Sequence, residues 1–331
     1  MKKRHLFITS TLLALALMLA LSPLGLAQEK TYVIGIAQFA EHPSLDNCRE
    51  GFIQGLAEQG FIEGKNVTFV VQNAQQDMGL AQQIASQMAE TVDLVCAIAT
   101  PMAQAAFNAC MDKDIPVIYN AVSDPVAAML ANADGMNDKA VTGTSDLLPV
   151  EAQLAMIRAL LPAAEKIGIL YTTSETNSES QLKTYQEKAS SFGFEIIPMG
   201  VSTGADIPLA MDSLLPKVDC LTNLTDNTVV SNLPVILDKA NAAKKAVFGS
   251  EIEQVKNGCV ASVGVEYMNL GIITGQLAAQ VLEGQFAGSI PFALCTESSM
   301  YYNSAVAEAL EIPLPADALS QATDVTTLPA E

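Results

Sequence analysis

The chain has 331 residues, 36 of them acidic and 17 basic, for a formal net charge of −19. Such a surplus repels nucleic acid and anionic lipid surfaces, so neither is expected as a partner. Half of the residues are hydrophobic, and the length suits two domains of ordinary size.

Met1–Ala27 begins Lys2-Lys3-Arg4, continues with an apolar run from Leu12 to Leu21, and ends Gly25-Leu26-Ala27. A basic start, a short apolar core and small residues at −3 and −1 describe a secretory signal peptide cleaved after Ala27. No Cys follows the run, so no lipid attachment is expected. Removing the leader takes three positive charges and moves the net charge from −19 to −22. No later segment is long and apolar enough to span a bilayer. The expected product is a free periplasmic or extracellular protein.

The first half reads as strand 32–37, helix 44–59, strand 67–73, helix 78–91 and strand 94–98. Thr100 then caps a helix with Pro101 in its first turn. Strand 116–120 and the loop Ala121-Val122-Ser123-Asp124-Pro125 follow, and Val141–Ser145 crosses to the second half. That half reads as helix 150–161, strand 166–171, a polar loop 172–178, helix 179–192, strand 195–199, helix 207–215 and strand 218–224. A helix 226–243 broken near Pro234 comes next, then strand 246–248, strand 259–265 and helix 268–282. Phe292–Tyr302 and a short helix 304–310 return to the other lobe, and residues 314–331 form a tail poor in order signals. Alternating βα units of this length imply parallel sheets with helices on both faces.

Three stretches recur in order. Val33–Ile36 resembles Lys166–Ile169, Val92–Pro101 resembles Val218–Asn227, and Ile115–Asp124 resembles Ala246–Glu251, at spacings of 133, 126 and 127 residues. The expectation is a fold of two doubly wound parallel-sheet lobes joined by a hinge. Residues 28–145 with 267–295 form one lobe, and 146–266 with 296–313 form the other. Closure is expected about the links at Val141–Ser145, Val263–Glu266 and Thr296–Ser299.

The chemistry argues against an enzyme. Of two histidines one leaves with the signal, no G-x-S-x-G elbow appears, and no G-x-G-x-x-G follows the first strand. Six cysteines, at 48, 96, 110, 220, 259 and 295, show no zinc spacing. Cys96, Cys220 and Cys259 sit in buried-strand runs, so free thiols are expected. No cofactor and no metal is expected.

Several stretches together resemble one family: Gly35-Ile36-Ala37-Gln38-Phe39 with Glu41-His42-Pro43, Ala99-Thr100-Pro101, Val122-Ser123-Asp124-Pro125-Val126, Thr144-Ser145-Asp146, Asn177-Ser178, Thr225-Asp226-Asn227-Thr228 and Ser250-Glu251. They are similar to the substrate-binding proteins of ABC importers in the tryptophan/tyrosine-type group, with the type I periplasmic-binding fold. The resemblance runs from about Thr31 to Pro313. It implies a monomeric two-lobe protein that closes on an amino acid, aromatic by inclination, and delivers it to an ABC permease in the membrane. A ligand-sensing partner of a membrane receptor shares the same pattern, and a small-molecule enzyme is a more distant alternative.

An amino acid is a zwitterion, and both of its charges need partners once buried. No Lys or Arg falls in the crevice loops, so helix N-termini and hydroxyls must hold the carboxylate. Thr100, Asn177 and Ser178 are the candidates. Asp124, Asp226 and Glu251 end or follow strands at the same edge and can accept from the ammonium, with Ser123 and Asn227 beside them. Gln38 and Phe39 would meet the side chain. Ordinary readings stand beside these: Asp124, Asp226 and Glu251 are also good helix caps, and Phe39 also suits a core.

Overall fold

A computed structural model describes residues 30–329. The expected signal peptide lies outside the described residues.

The first lobe is built on a parallel sheet of six strands in the order β11-β5-β4-β3-β1-β2. Its strands are β1 (Tyr32–Gln38), β2 (Val67–Asn73), β3 (Leu94–Ile98), β4 (Val117–Asn120), β5 (Val141–Ser145) and β11 (Ala293–Leu294). β3, β4 and β5 are buried at every position, because helices cover both faces of a parallel sheet. Helices α1 (Pro43–Glu58), α2 (Met78–Thr91) and α3 (Thr100–Cys110) connect the early strands, and α10 (Tyr267–Leu282) joins them from late in the chain.

The second lobe holds a parallel sheet in the order β7-β6-β8-β9, formed by β6 (Lys166–Thr172), β7 (Glu195–Val201), β8 (Cys220–Thr222) and β9 (Ala246–Phe248). This order repeats β2-β1-β3-β4 of the first lobe, so the recurring stretches mark a recurring topology. A further sheet, β10-β12-β13, pairs β10 (Ala261–Gly264) antiparallel with β12 (Ser299–Tyr302). Its third strand, β13 (Thr323–Asp324), lies in the tail and pairs parallel with β12, with Val325 buried beside it. The tail is therefore docked, although its composition gave no sign of order. Helices α4 (Val150–Leu160), α5 (Thr176–Lys188), α6 (Ile207–Leu214), α7 (Asn227–Ser231), α8 (Leu233–Ala242), α9 (Ile252–Lys256) and α11 (Ser304–Ala309) complete this half. The break between α7 and α8 falls at Asn232, which places Pro234 in the first turn of α8, where its missing N–H costs no helical bond.

The chain runs between the first sheet and the second half three times: after β5, between β10 and α10, and between β11 and β12. The second of these passages makes α10 dependent on a helix more than 200 residues earlier. Gly51 and Gly55 of α1 face Gly271 and Gly275 of α10, and a Cβ on Gly271 would stand 2.9 Å from both Gly51 Cα and Phe52 N. The two backbones touch because neither helix carries side chains there. All six cysteines are free, five of them buried.

Two local expectations change. Thr100 is not the N-cap of α3; that position is Ala99, at φ 78 and ψ 152, and Thr100 is the first helical residue. A non-glycine residue at this φ is strained by about 1–3 kcal/mol, and such strain persists only where the surroundings impose it. Ala99 N donates to Asn120 O and Ala99 O accepts from Ala103 N, so β4 on one side and α3 on the other hold it. The second change is in α5, which starts at Thr176 rather than at 179 and so carries Asn177 and Ser178 in its first turn.

Candidate functional site

The carboxyl ends of the strands in both lobes open onto one narrow cavity. From the first lobe come His42 and Ser44 at the start of α1, Ala99 and Thr100 at the start of α3, and Ala121 after β4. From the second come Asn177, Thr225, Asp226, Asn227, Ser250 and Glu251, while Asp146 and Tyr267 flank the passages between lobes. Two of the lining residues, Ala99 and Ala121, have positive φ. The cavity lining contains no Lys or Arg, and the described residues contain no cluster able to hold a metal.

The helix N-termini at this cavity differ in what they are given. Asp226 caps α7 by accepting from Val229 N, and Glu251 caps α9 by accepting from Glu253 N and Gln254 N. α1, α3 and α5 receive no side-chain cap. Glu175, at the N-cap position of α5, reaches across to α7 and accepts from Asn177 Nδ2 (3.0 Å), Asn227 N (3.2 Å) and Asn227 Nδ2 (2.6 Å). Negative charge therefore already sits at the N-termini in the second lobe. In the first lobe, α1 carries Asp46 in its first turn, whereas α3 has neither a side-chain cap nor an acidic residue there and presents an uncompensated positive dipole end to the cavity.

The carboxylates are closely held. Asp226 accepts four bonds: from Thr172 N (2.6 Å), Thr172 Oγ1 (2.8 Å), Ser178 Oγ (2.7 Å) and Val229 N (2.8 Å). Burial, aided by the neighbouring Asp226 charge, pushes Glu175 up to about 7, against the donors Asn177 and Asn227. Burial likewise pushes Glu251 up to about 7, against the N–H groups of Glu253 and Gln254. Asp146 is also raised by burial, opposed by the Tyr267 and Ser123 hydroxyls. Burial lowers His42 to about 4, opposed by Asn227 and the Asp46 charge.

These shifts set a pH dependence of stability. Glu175 and Glu251 lie above the ordinary 4.5 in the folded protein, so each stabilises the fold fully below pH 4.5 and loses that contribution as pH rises through about 7. His42 acts in the opposite sense, its contribution being present above its ordinary 6.5 and lost as pH falls through about 4. The expected result is a melting temperature that falls from pH 6 to pH 8, with a shallower slope in Glu175→Gln and Glu251→Gln. Calorimetric scans across that range check it, and an unchanged slope in both variants would contradict it.

Of the residues expected from sequence, Thr100, Asn177, Asp226, Asn227 and Glu251 line the cavity. The other five lie off it. Gln38 is buried and closed in by the Ala40 carbonyl, Asp46 and Arg49. Phe39 is part of the first-lobe core, and Ser178 supports Asp226 from behind. Ser123 and Asp124 bridge the lobes: Ser123 Oγ lies 2.8 Å from Thr225 Oγ1, and Asp124 Oδ2 accepts from Ser180 Oγ at 2.7 Å. Asp146 stands in the Thr144-Ser145-Asp146 stretch of the resemblance but is not among the ligand candidates read from sequence, although its place just beyond a parallel strand at the sheet's carboxyl edge is where ligand groups gather in such folds. Thr100 Oγ1, Asp146 Oδ1 and Asn177 Oδ1 are buried cavity-lining atoms without a hydrogen-bond partner.

Residues 33–326 match the family model described as ABC transporter substrate binding protein. A relative from Clostridioides difficile named tyrosine-binding protein is 41% identical over 280 residues, covering 84% of this chain and 81% of its own length. The fold is similar to that of a Streptococcus pneumonia ABC domain solved in complex with L-Trp, with a TM-score of 0.86 and 32% identity over 89% of this chain and 100% of that one. It is also similar to a ligand-free, open substrate-binding protein with adhesive properties from Clostridium difficile, with a TM-score of 0.67 and 38% identity over 89% and 99% of the two chains. The two-lobed parallel-sheet fold, the cavity between its strand ends and the match along nearly the whole described chain agree, and the chain belongs to the ABC transporter substrate-binding protein family.

Proposed function

We propose that this chain is the extracytoplasmic binding protein of an ABC importer and captures an aromatic amino acid. The observation that carries the reading is the division of charge across the cavity. The first lobe offers the N-terminus of α3, uncapped and with no acidic residue in its first turn, for a carboxylate, while the lining carboxylates Asp146, Asp226 and Glu251, with no Lys or Arg beside them in the wall, suit an ammonium. A zwitterion fits this arrangement and a simple anion or cation does not, since each would leave one side unpaired. Leu45, Val230 and Tyr267 add apolar surface for a side chain. The names of two relatives, one tyrosine-binding and one in complex with L-Trp, support an aromatic side chain.

The remaining parts of the reading follow from it. The lobes are 28–145 with 267–295 and 146–266 with 296–313, and they close about the three passages between them. In support, this structure is closer to the L-Trp complex than to the open, ligand-free relative, although the latter is the more identical in sequence. Thr100 and Asn177 are the carboxylate and amide contacts. The first 27 residues are a cleaved leader, the mature protein is a monomer, and its partner is a membrane permease. Calorimetry against the twenty amino acids tests the ligand. Saturable one-to-one binding of L-tyrosine or L-tryptophan, with L-leucine weaker, is expected. Binding of no aromatic amino acid would overturn the reading.

A further inference from the structure

Three buried carboxylates line the cavity, Asp146, Asp226 and Glu251, and a fourth, Glu175, is buried behind Asn177 and Asn227 of its wall; they are not equally available. Asp226 accepts four bonds, Glu175 is surrounded by the amides and N–H groups of Asn177, Asn227 and Thr228, and Glu251 has one oxygen on Glu253 N and the other on Gln254 N. Each of these serves a helix of its own lobe. Asp146 differs: Tyr267 donates to its Oδ2 at 2.6 Å, and its Oδ1 is buried in the cavity wall with no partner.

We propose that Asp146 receives the ammonium group of the ligand and so makes a free α-amino group the condition for binding. This rests on the reading that the ligand is an amino acid. The titratable groups that face Asp146 electrostatically are Cys48, Tyr267 and Cys295. None is a cation, so the protein itself supplies no counter-charge to this carboxylate. An ammonium has three donors and no acceptor. It would bond Asp146 Oδ1, and Asn177 Oδ1, a carbonyl oxygen in the wall that also lacks a partner, is available for a second donor. Tyr267 fixes the carboxylate plane, since its hydroxyl holds the oxygen that the ligand does not use.

The position explains why this residue is suited to the task. Asp146 is the first residue after β5, where the chain leaves the first lobe. An ammonium placed there neutralises a charge that closure of the lobes buries, so the same contact that reads the amino group also favours the closed form.

The test compares each amino acid with its desamino analogue. L-tyrosine and 3-(4-hydroxyphenyl)propanoate are titrated calorimetrically into wild type, Asp146→Asn and Asp146→Ala. Wild type is expected to prefer tyrosine by about 100-fold or more, the order of effect for one missing partner of a buried charge. In Asp146→Asn, which can still accept from Tyr267, the preference should shrink to within about tenfold while the desamino acid binds at least as tightly as it does to wild type, since no unpaired charge is then buried. Binding of the desamino acid also reports that the variant is folded. A preference unchanged in both variants, or an equal loss of both ligands, overturns the assignment. If a non-aromatic amino acid proves to be the ligand, the aromatic reading falls and the same comparison is made with that amino acid and its desamino form. If no amino acid binds wild type, the functional reading itself is overturned, and the assignment of Asp146 falls with it.

Discussion

Gly271→Leu is expected to destabilise the protein by about 3 kcal/mol or more, at the upper end of what overpacking costs, because the obstructing atoms are backbone. A Cβ at this position falls against the Cys48 carbonyl oxygen, and it comes within 2.9 Å of Gly51 Cα and Phe52 N. No rotamer change relieves such contacts; α1 and α10 must separate. The consequence reaches the cavity, since α1 begins beside His42 and Ser44 and α10 begins with Tyr267. Denaturant titration checks the stability, and ligand titration of the folded fraction should show weakened binding as well. A midpoint equal to wild type would mean that the helices are free to move apart.

The second large effect belongs to Asp226. Its carboxylate satisfies two buried backbone N–H groups, of Thr172 and Val229, and two hydroxyls, of Thr172 and Ser178. The hydroxyls can rotate towards other acceptors, but the N–H groups cannot. At about 1–3 kcal/mol for each orphaned group, Asp226→Ala should cost about 4 kcal/mol. The Asp226→Asn variant isolates a different consequence. Burial is the largest cause of the raised Glu175 pKa and the charge of Asp226 the next. Removing that charge should therefore lower Glu175 from about 7 while leaving it above its ordinary value. Carboxyl-carbon NMR titration follows this directly, and an unmoved Glu175 would show that the two groups do not sense each other. Because Asp226 has no lone pair to spare, loss of ligand in Asp226→Ala would report a damaged second lobe rather than a missing ligand contact. Measuring stability and binding on the same sample separates the two.

The elements themselves were legible in the residues. β2, β3, β9 and α2 fall on the bounds read from sequence, since an apolar run or a 3.6-residue period is a local property. The repeat was legible for the same reason: two similar chains of βα units leave similar residues at similar spacings, and the two sheets share one strand order. Caps were only half legible. Asp226 and Glu251 do begin helices, as short acceptors at such positions should. Thr100 has the chemistry of a cap and is not one, because β4 and α3 together force Ala99 into a φ that its own side chain disfavours.

What the sequence by itself determined was the order of elements, the doubling of the fold and the scarcity of positive charge where a ligand would sit. Tertiary structure alone decided which polar atoms are already used. Gln38 and Asp226 look equally able to meet a ligand on paper, yet one is enclosed by Asp46 and Arg49 and the other is saturated by donors 48 to 54 residues away in the chain and by Val229. Asp146 shows the converse, a carboxylate left with one free oxygen by the way the lobes meet around it. Periodicity and propensity act over a few residues, whereas the occupancy of a lone pair depends on groups brought together only when both lobes have folded.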